Sequence, residues 1–340
     1  MFAPLIEKLL RHEDLTTDEA AGAMRAVMEG QAPAPALAGL LVALAMKGER
    51  PAEIVGFART MREHAVRLDV PAGEVFDTCG TGGDRSGTFN ISSAAAVVVA
   101  ACGVRVAKHG NRSVSSRCGS ADVFEALGVN VAASVPVVAR TLQEAGVAFF
   151  FAPTFHPSMR HAAPTRRELG VRTAFNLLGP LTNPAGARRQ IVGVPRPELT
   201  ELLARSLMLL GSDRAWVVHG SDGLDELSLS GYTKVSECHE GMVKTFFIHP
   251  ADVGLTRCAP EALVGGDAIE NAGIIRRLFE GEPGPRRDVV LYNAGAALFV
   301  AGHASSVREG IRAAGAALDD GRAQATLERM AMISNQDVTA

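Results

Sequence analysis

Apolar positions along this 340-residue chain follow two different patterns, which divide it into two parts. In the first seventy residues they recur every three to four positions, the spacing of amphipathic helices. Four helices are predicted there: one with the stripe Leu5, Leu9 and Leu10, one from the capping box of Thr16 and Glu19 to Gly30, one from about Pro35 to Lys47, and one from Pro51 to near Arg67. The third is nearly apolar all round, so we expect it to be buried in a bundle or at a partner interface.

From Val75 onward, short β-branched and aromatic runs alternate with helical stretches. Strands are predicted at 75–76, 104–107, 147–151, 190–194 and 216–218, with helices at 121–127, 136–145 and 198–210 between them. This alternation favours an α/β fold with a mainly parallel central sheet and helices on both faces. The runs 232–238 and 242–248 are typical of a hairpin, and the pattern of 268–332 is helical.

The change of pattern predicts two domains. Residues 1–70 form a small N-terminal helical domain and residues 71–340 a larger α/β domain, with a linker at Val70 to Gly73. The segment 160–185 is neither clean strand nor clean helix, and we expect it to contribute to the helical domain. Its turn-rich part, Asn176 to Pro184, is expected to pass between the domains, where a hinge would allow closure over a substrate.

Composition excludes several classes of protein. Hydrophobic residues make up 47% and charged residues 21%, which is ordinary for a globular chain, and the net charge of −3 argues against broad affinity for nucleic acid or membranes. The five cysteines form no CxxC pair, which favours free thiols in a reducing compartment. Glu7, Lys8 and Arg11 interrupt the first apolar pattern, so no signal peptide is expected. The longest apolar run, 94–102, is too short to cross a bilayer. We therefore expect a cytoplasmic protein.

A glycine-rich loop from Asp77 to Asp84 is the first candidate for chemistry. It lies between a predicted strand and a helix that opens at Asn90, and such glycines let backbone N–H groups approach a phosphate. No lysine stands where a Walker motif requires one, and Arg85 occupies the third glycine position of the dinucleotide motif. The loop predicts an anion cradle of neither standard type, with a simple tight turn as the alternative.

Two further polar loops follow predicted strands. Residues 108–117 hold three cations and three serines, which suits a second phosphate-rich ligand at the carboxyl end of a strand. Residues 219–226 end in the adjacent carboxylates Asp225 and Glu226, which suit Mg²⁺, an ion that takes oxygen ligands and keeps substrate phosphates in its shell. Each loop alone is compatible with a solvated turn. Together the three loops predict a site for a magnesium-bound polyphosphate.

Five motifs in this order resemble those of the anthranilate phosphoribosyltransferase family. They are GTGGD at 80–84, TFNIS at 88–92, KHGNRSVSS at 108–116, FNLLGPLTNP at 175–184 and HGSDGLDE at 219–226, with MKGE at 46–49 and MREH at 61–64 in the helical part. The resemblance extends over nearly the whole chain. It implies the fold of nucleoside phosphorylases and phosphoribosyltransferases, usually paired as a homodimer through the helical domain.

The resemblance also implies the reaction. Anthranilate attacks C1 of 5-phosphoribosyl 1-pyrophosphate through its amine, giving N-(5-phosphoribosyl)anthranilate and pyrophosphate in tryptophan biosynthesis. Substitution at C1 passes through an oxocarbenium-like species, so the enzyme must chiefly neutralise the departing pyrophosphate and align the amine. An aromatic amine needs no strong base, and no catalytic residue is predicted.

Individual roles follow from matching positions in the motifs. The donor would be bound by Gly80, Gly83, Asp84, Thr88, Asn90, Ile91, Ser92, Ser93, Lys108, His109, Gly110, Asn111, Arg112, Ser113, Val114, Ser115, Ser116 and Ser120. Mg²⁺ would be held by Ser92, Asp225 and Glu226. Asn111 and Arg166 would face anthranilate, Arg166 by pairing with its carboxylate.

Several alternatives stay open. Arg167 is a rival for Arg166, because neighbours on a helix point about 100° apart. His109 and His156 either form walls of the aromatic pocket or are structural. A pyrimidine nucleoside phosphorylase would share the architecture without needing Asp225 and Glu226. A non-catalytic paralogue that binds nucleic acid is the third reading, and the acidic net charge speaks against it.

Overall fold

The helical part opens the chain in a computed structural model that describes residues 1–68, 70, 75–113 and 117–336. Its helices are α1 (Phe2–Leu10), α2 (Thr17–Met28), α3 (Ala34–Lys47) and α4 (Pro51–Glu63). The predicted capping box is present: the Thr16 side chain accepts the Glu19 N–H, and the Glu19 carboxylate accepts the Thr16 N–H. Residues 71–73 of the predicted linker lie outside the described residues.

The end predicted for α4, near Arg67, is wrong. The helix stops at Glu63, and the chain then leaves its axis so that the Val66 N–H donates to the Phe155 carbonyl at 2.8 Å. A long-range backbone hydrogen bond therefore replaces the last turn that the local pattern predicted.

Strands and helices alternate from residue 76 as the sequence predicts. The elements are β1 (Phe76–Thr78), α5 (Ile91–Ala101), β2 (Val106–Gly110), α6 (Ser120–Ala126), α7 (Val135–Ala145), β3 (Val147–Phe151), α8 (Ala152–Phe155), α9 (Ala163–Leu169), α10 (Phe175–Leu178), β4 (Arg189–Gly193), α11 (Leu199–Leu209), β5 (Arg214–Gly220), β6 (Thr233–His239), β7 (Met242–Ile248), α12 (Ala268–Phe279), α13 (Pro285–Ala301), α14 (Val307–Asp319) and α15 (Arg322–Ser334). Short 3₁₀ turns lie at 157–161, 179–181, 250–253 and 260–263.

The seven strands form one sheet in the order β3-β2-β1-β4-β5-β6-β7. Strands β1 to β5 are parallel, and the hairpin of β6 and β7 adds two antiparallel strands at one side. The mainly parallel sheet is thus confirmed. The chain builds outward from β1 to β3 and then returns to the other side of β1 with β4. In open α/β sheets, ligands bind beyond the carboxyl ends of the strands at such a reversal.

Alternating side chains of β5 face two different cores. In β5, Trp216 and Val218 pack into a core built mainly with α5, α13 and α14, whereas Ala215 and Val217 face α11 and the helical bundle. The second core also takes in Phe175 and other residues of the segment 160–185. This shared packing supports the proposed contribution of that segment to the helical domain. No described helix combines the length and apolarity needed to cross a bilayer.

The second strand begins two residues later than its apolar run predicts. β2 covers Val106–Gly110, so Lys108 and His109 belong to the strand and are buried, rather than lying in a loop after it. Their backbones pair in parallel with Phe149 and Phe150 of β3. Lys108 Nζ and His109 Nδ1 form hydrogen bonds to backbone carbonyls inside the protein, which replace part of the hydration lost on burial.

Candidate active site

The glycine loop leaves β1 and turns over the end of β4. The Thr81 N–H donates to the Gly193 carbonyl at 2.9 Å. An added Cβ at Gly193 would lie 1.6 Å from the Asp225 carbonyl oxygen, and one at Gly80 would lie 3.0 Å from Asp225 Oδ2. The missing side chain of Gly193 therefore permits the acidic loop after β5 to pack directly on the sheet edge, beside the glycine loop.

The acidic loop is tied to the start of α5 and to the glycine loop. Glu226 Oε1 accepts the Ser92 N–H at 3.2 Å, so one unpaired donor at the helix N-terminus is used by a carboxylate. The Asp225 carboxylate accepts the Gly82 N–H and forms a hydrogen bond with Asp84. The glycine loop, the start of α5 and the acidic loop thus meet at one edge of the sheet.

Close contact among these carboxyl groups makes the edge favourable for a cation. Burial, followed by the charges of Asp84 and Glu226, raises the pKa of Asp225 well above its ordinary value. Burial raises the pKa of Glu226 to about 7, although Lys108 and Ser92 oppose the shift. Burial is the main cause of both shifts, and repulsion between the carboxylates adds to them; a bound divalent cation would offset that repulsion.

The donor set fits Mg²⁺ bound together with a substrate. Among the described residues, no group of three or more His, Cys, Asp or Glu side chains forms a ready-made metal site. Mg²⁺ commonly takes one or two protein carboxylates and completes its octahedral shell with water and substrate phosphates. Asp225 and Glu226 supply that number of carboxylates, with the Ser92 hydroxyl hydrogen-bonded to Glu226.

Asn90 stands at the N-cap of α5, but its side chain does not cap the helix. Its Nδ2 donates to the Cys118 carbonyl at 3.3 Å, and its Oδ1 accepts from Asn271 Nδ2 at 3.0 Å. These bonds fix the loop before α5 to two distant segments. Ile91 and Ser93 are buried, and Thr88 pairs with Val264 in an isolated β-bridge.

Lys108 and Asp77 form a buried polar centre beneath the glycine loop. The Lys108 ammonium donates to the Thr78 carbonyl, and Asp77 accepts the His109 N–H at 3.2 Å and Asn183 Nδ2 at 2.8 Å. Burial raises the pKa of Asp77 to about 6, while Lys108 and these hydrogen bonds oppose the shift. Asp77 is the first residue of the predicted anion cradle, and its carboxylate forms hydrogen bonds with groups in the protein interior.

The loop after β2 packs against α6. Ser120 lies so close to Gly110 that an added Cβ would be 2.2 Å from Ser120 Oγ. Arg112 turns toward α6, where its guanidinium donates to Asp122 at 3.1 Å and to Glu125 at 2.6 Å. Its predicted contact with the donor stays a prediction, as do those of the exposed Asn111 and the half-buried Ser113. Val114, Ser115 and Ser116 lie outside the described residues.

Comparison with known proteins identifies the family. Residues 3–65 match the helical bundle domain of a glycosyl transferase family, and residues 72–324 match its a/b domain. Anthranilate phosphoribosyltransferase from Desulfatibacillum aliphaticivorans is 51% identical over 337 residues, covering 99% of this chain and all of that protein. The chain belongs to the anthranilate phosphoribosyltransferase family.

Two solved members of the family share the whole fold. The crystal structure of anthranilate phosphoribosyltransferase from Thermus thermophilus has a TM-score of 0.92 and 47% identity, covering 97% of this chain and 99% of its own. The Saccharomyces cerevisiae enzyme in complex with PRPP and Mg has a TM-score of 0.89 and 27% identity, covering 98% and 97%. The expected fold class is confirmed.

Arg166 is half-buried and packs on an aromatic ring. Its guanidinium lies 5.0 Å from the centre of the Phe175 ring, and burial lowers its pKa. Within the described parts of the chain, no carboxylate pairs with it. Arg167, the rival, is exposed. The geometry therefore favours Arg166.

The two candidate wall histidines lie next to each other, with ring centres 5.2 Å apart. His109 Nδ1 is 3.1 Å from the Gly179 carbonyl, whereas Nε2 of both His109 and His156 is buried and has no hydrogen-bond partner among the described residues. Burial lowers the pKa of His109 to about 3 and that of His156 to about 4, so both rings are neutral near pH 7. Two neutral rings with unused nitrogens suit the wall of an aromatic pocket.

Three residues that help to build this edge of the sheet were not predicted as site residues from the sequence. The sequence marks Asn183 only as part of a turn, yet it joins Asp77 to the Ala107 carbonyl. It marks Gly193 only as a strand residue. Arg172 donates from Nη1 to the Gly82 carbonyl at 2.9 Å. No local pattern singles out any of them, because their partners lie far away in the sequence.

Proposed function

We propose that this protein transfers the phosphoribosyl group of 5-phosphoribosyl 1-pyrophosphate to the amine of anthranilate in tryptophan biosynthesis. The observation that carries the proposal is the meeting of the glycine loop, the start of α5 and the Asp225–Glu226 pair at the reversal point of the sheet. The relatives that are 51% identical to the chain bear the name of this activity.

The reaction breaks the bond between C1 and the pyrophosphate oxygen, and the electron pair leaves with pyrophosphate. A bond forms between C1 and the amine nitrogen, which then releases a proton to solvent. The donor residues predicted from the motifs would bind the phosphates through backbone N–H groups at the glycine loop and the start of α5. Arg166 would hold the anthranilate carboxylate, and the neutral rings of His109 and His156 would flank the aromatic ring. Such positioning brings the amine to C1, and charge neutralisation stabilises the departing pyrophosphate.

Mg²⁺ is the proposed cofactor, held by Ser92, Asp225 and Glu226. When bound to the donor, it would neutralise part of the charge on the pyrophosphate. Relief of the repulsion among Asp84, Asp225 and Glu226 supports this role. The solved Saccharomyces cerevisiae relative has PRPP and Mg bound, and a variant of the same enzyme has Mg bound.

The proposed assembly is a homodimer formed through the helical domain, and the proposed location is the cytoplasm. Apolar side chains on α1 and α3 support the dimer: Leu10, Val42 and Met46 are exposed. Neither nucleic acid nor a membrane is a proposed partner.

The decisive experiment is an anthranilate fluorescence assay with purified protein. Fluorescence should fall only when 5-phosphoribosyl 1-pyrophosphate and Mg²⁺ are both present, and the double variant Asp225→Asn/Glu226→Gln should lose most of this turnover. The matched control is Asp319→Asn/Glu328→Gln, two exposed positions on α14 and α15. Phosphorolysis of thymidine or uridine without loss of anthranilate would instead support a nucleoside phosphorylase.

A further inference from the structure

Arg172 belongs to a segment far from the glycine loop in sequence, and its side chain lies across that loop. It follows α9, in the segment that also carries Arg166, and its Nη1 donates to the Gly82 carbonyl at 2.9 Å. The guanidinium fills the space above the next residue: an added Cβ at Gly83 would lie 1.7 Å from Nη1 and 2.8 Å from Cζ. Gly83 also has a φ of +86°, so its lack of a side chain serves both the turn and the close approach of Arg172.

Most of the charged side chains that act on Arg172 are themselves arginines. No ion pair joins Arg172 to an acidic side chain within the described residues, and its guanidinium donates to a backbone carbonyl. Arg85 and Arg196 lie close enough to repel it, and Asp225 is the acidic group that opposes them. Arg85 and Arg196 therefore lie near Arg172 beside the glycine turn, where Asp84 and Asp225 are neighbouring carboxylates.

An anion bound at the turn would meet the Arg172 guanidinium directly, because that group already lies over Gly82 and Gly83. The glycine turn offers backbone N–H groups, and an arginine fork matches the geometry of phosphate oxygens. The side chain of Arg172 is exposed, so it has room to exchange the Gly82 carbonyl for a stronger, charged acceptor.

We propose that Arg172 binds the pyrophosphate of the donor above the Gly82–Gly83 turn, so that the connecting segment after α9 supplies a cation to the leaving group. This inference rests on the proposed function, because it takes the glycine loop as the site of the donor. It makes the segment a contributor to both substrates: Arg166 binds the acceptor carboxylate and Arg172, six residues later, binds the donor. The charge that develops on the leaving group would be met partly by Arg172.

The test compares Arg172→Gln and Arg172→Lys with the wild type. Glutamine keeps a donor for the Gly82 carbonyl but removes the charge, and lysine keeps the charge without the fork. Arg160→Gln is the matched control, since it removes an exposed arginine from the same segment. Binding of inorganic pyrophosphate with Mg²⁺ to the free protein is measured by calorimetry, and KM is measured for each substrate.

We expect Arg172→Gln to weaken pyrophosphate binding about tenfold or more, as loss of a charge-assisted hydrogen bond does. The KM for the donor should rise, the KM for anthranilate and the melting temperature should change little, and Arg172→Lys should recover part of the affinity. If Arg172→Gln binds pyrophosphate as tightly as the wild type, the inference is wrong. An equal rise in both KM values would then show that Arg172 only holds the loop in place. A wild type that binds pyrophosphate but makes no product would contradict the proposed function instead, and the calorimetric comparison would still decide the role of Arg172.

Discussion

Arg166 and His109 show how the setting of a single residue decides its chemistry. Arg166 is half-buried against Phe175, and none of the described carboxylates pairs with it, so its charge is available to a ligand. His109 is buried in a strand and remains neutral at ordinary pH. Both residues are polar in the sequence. In the structure, Arg166 keeps a positive charge that no described carboxylate neutralises, whereas His109 is uncharged near pH 7.

The first prediction concerns Arg166. Replacing it with alanine should raise the KM for anthranilate by about tenfold to a hundredfold, because a charge-assisted hydrogen bond is lost, and should change the KM for the donor far less. Steady-state kinetics with each substrate varied in turn measures both constants. Arg167→Ala, the exposed neighbour, should leave both nearly unchanged. Equal rises in the two constants for Arg166→Ala would show that this arginine does not select the acceptor.

The second prediction concerns pH. Burial lowers the pKa of His109 to about 3. As the pH falls below about 6.5, this histidine therefore binds a proton in the unfolded chain but stays neutral in the folded chain. The stability that depends on this neutral ring is complete above the unfolded pKa and is lost as pH falls toward about 3. Between pH 7 and pH 5 it should cost about 2 kcal/mol of unfolding free energy.

The variant His109→Asn should lose less stability than the wild type over that range, because its amide can still donate to the Gly179 carbonyl but does not titrate. Urea unfolding at pH 7 and pH 5 measures the difference. His12→Asn, at an exposed position, is the control and should behave like the wild type. If His109→Asn loses as much stability as the wild type, the ring is not the source of the pH dependence.

At the scale of elements, buried polar contacts fix how the helices meet. The Glu53 carboxylate of α4 is fully buried and accepts the Leu15 N–H at 2.9 Å and the Arg50 N–H at 2.8 Å. Lys47, at the end of α3, lies 3.1 Å from it and is itself only 3% exposed. One carboxylate therefore joins the loop before α2 to the junction of α3 and α4.

The third prediction is that Lys47→Met destabilises the protein by about 3 kcal/mol, because it leaves a buried carboxylate without its cation. Arg205→Ala, which breaks the exposed pair with Glu201 on α11, should cost no more than about 0.5 kcal/mol. Chemical denaturation of the three proteins at pH 7 provides the comparison. Similar losses for both variants would mean that burial does not distinguish these two ion pairs.

At the scale of the whole molecule, the outer face of the helical domain carries exposed apolar side chains. α1 and α3 expose Leu10 at 67%, Val42 at 37% and Met46 at 77% of their full range. The sequence predicts α3 to be apolar all round, and its exposed side is consistent with a face that a second copy would cover.

The fourth prediction is that the protein is a dimer in solution and that Met46→Glu shifts it toward the monomer, since a carboxylate would be buried without a partner at the interface. Sedimentation velocity at micromolar concentration separates the two states. Met332→Glu, at an exposed methionine on α15, is the control and should stay dimeric. A monomeric wild type would contradict the proposed assembly.

Much of the fold was predictable because its signals are local. The capping box of Thr16 and Glu19, the strand 147–151 and the hairpin runs each depend on spacing within a few residues. Errors appear where distant partners compete with local pattern: α4 ends early to pair Val66 with Phe155, and β2 extends through Lys108 and His109. In both places a long-range hydrogen bond outweighed the local preference.

The sequence by itself determined the alternation of strands and helices, the glycine loop with its following helix, and the acidic pair, since backbone preference and residue chemistry are carried by neighbouring residues. Only the tertiary structure decided that Gly193 makes room for Asp225, that Asn183 satisfies the buried Asp77, and that Arg172 reaches over Gly83. These contacts join residues up to 106 positions apart, and their geometry exists only once the strands have taken their order in the sheet.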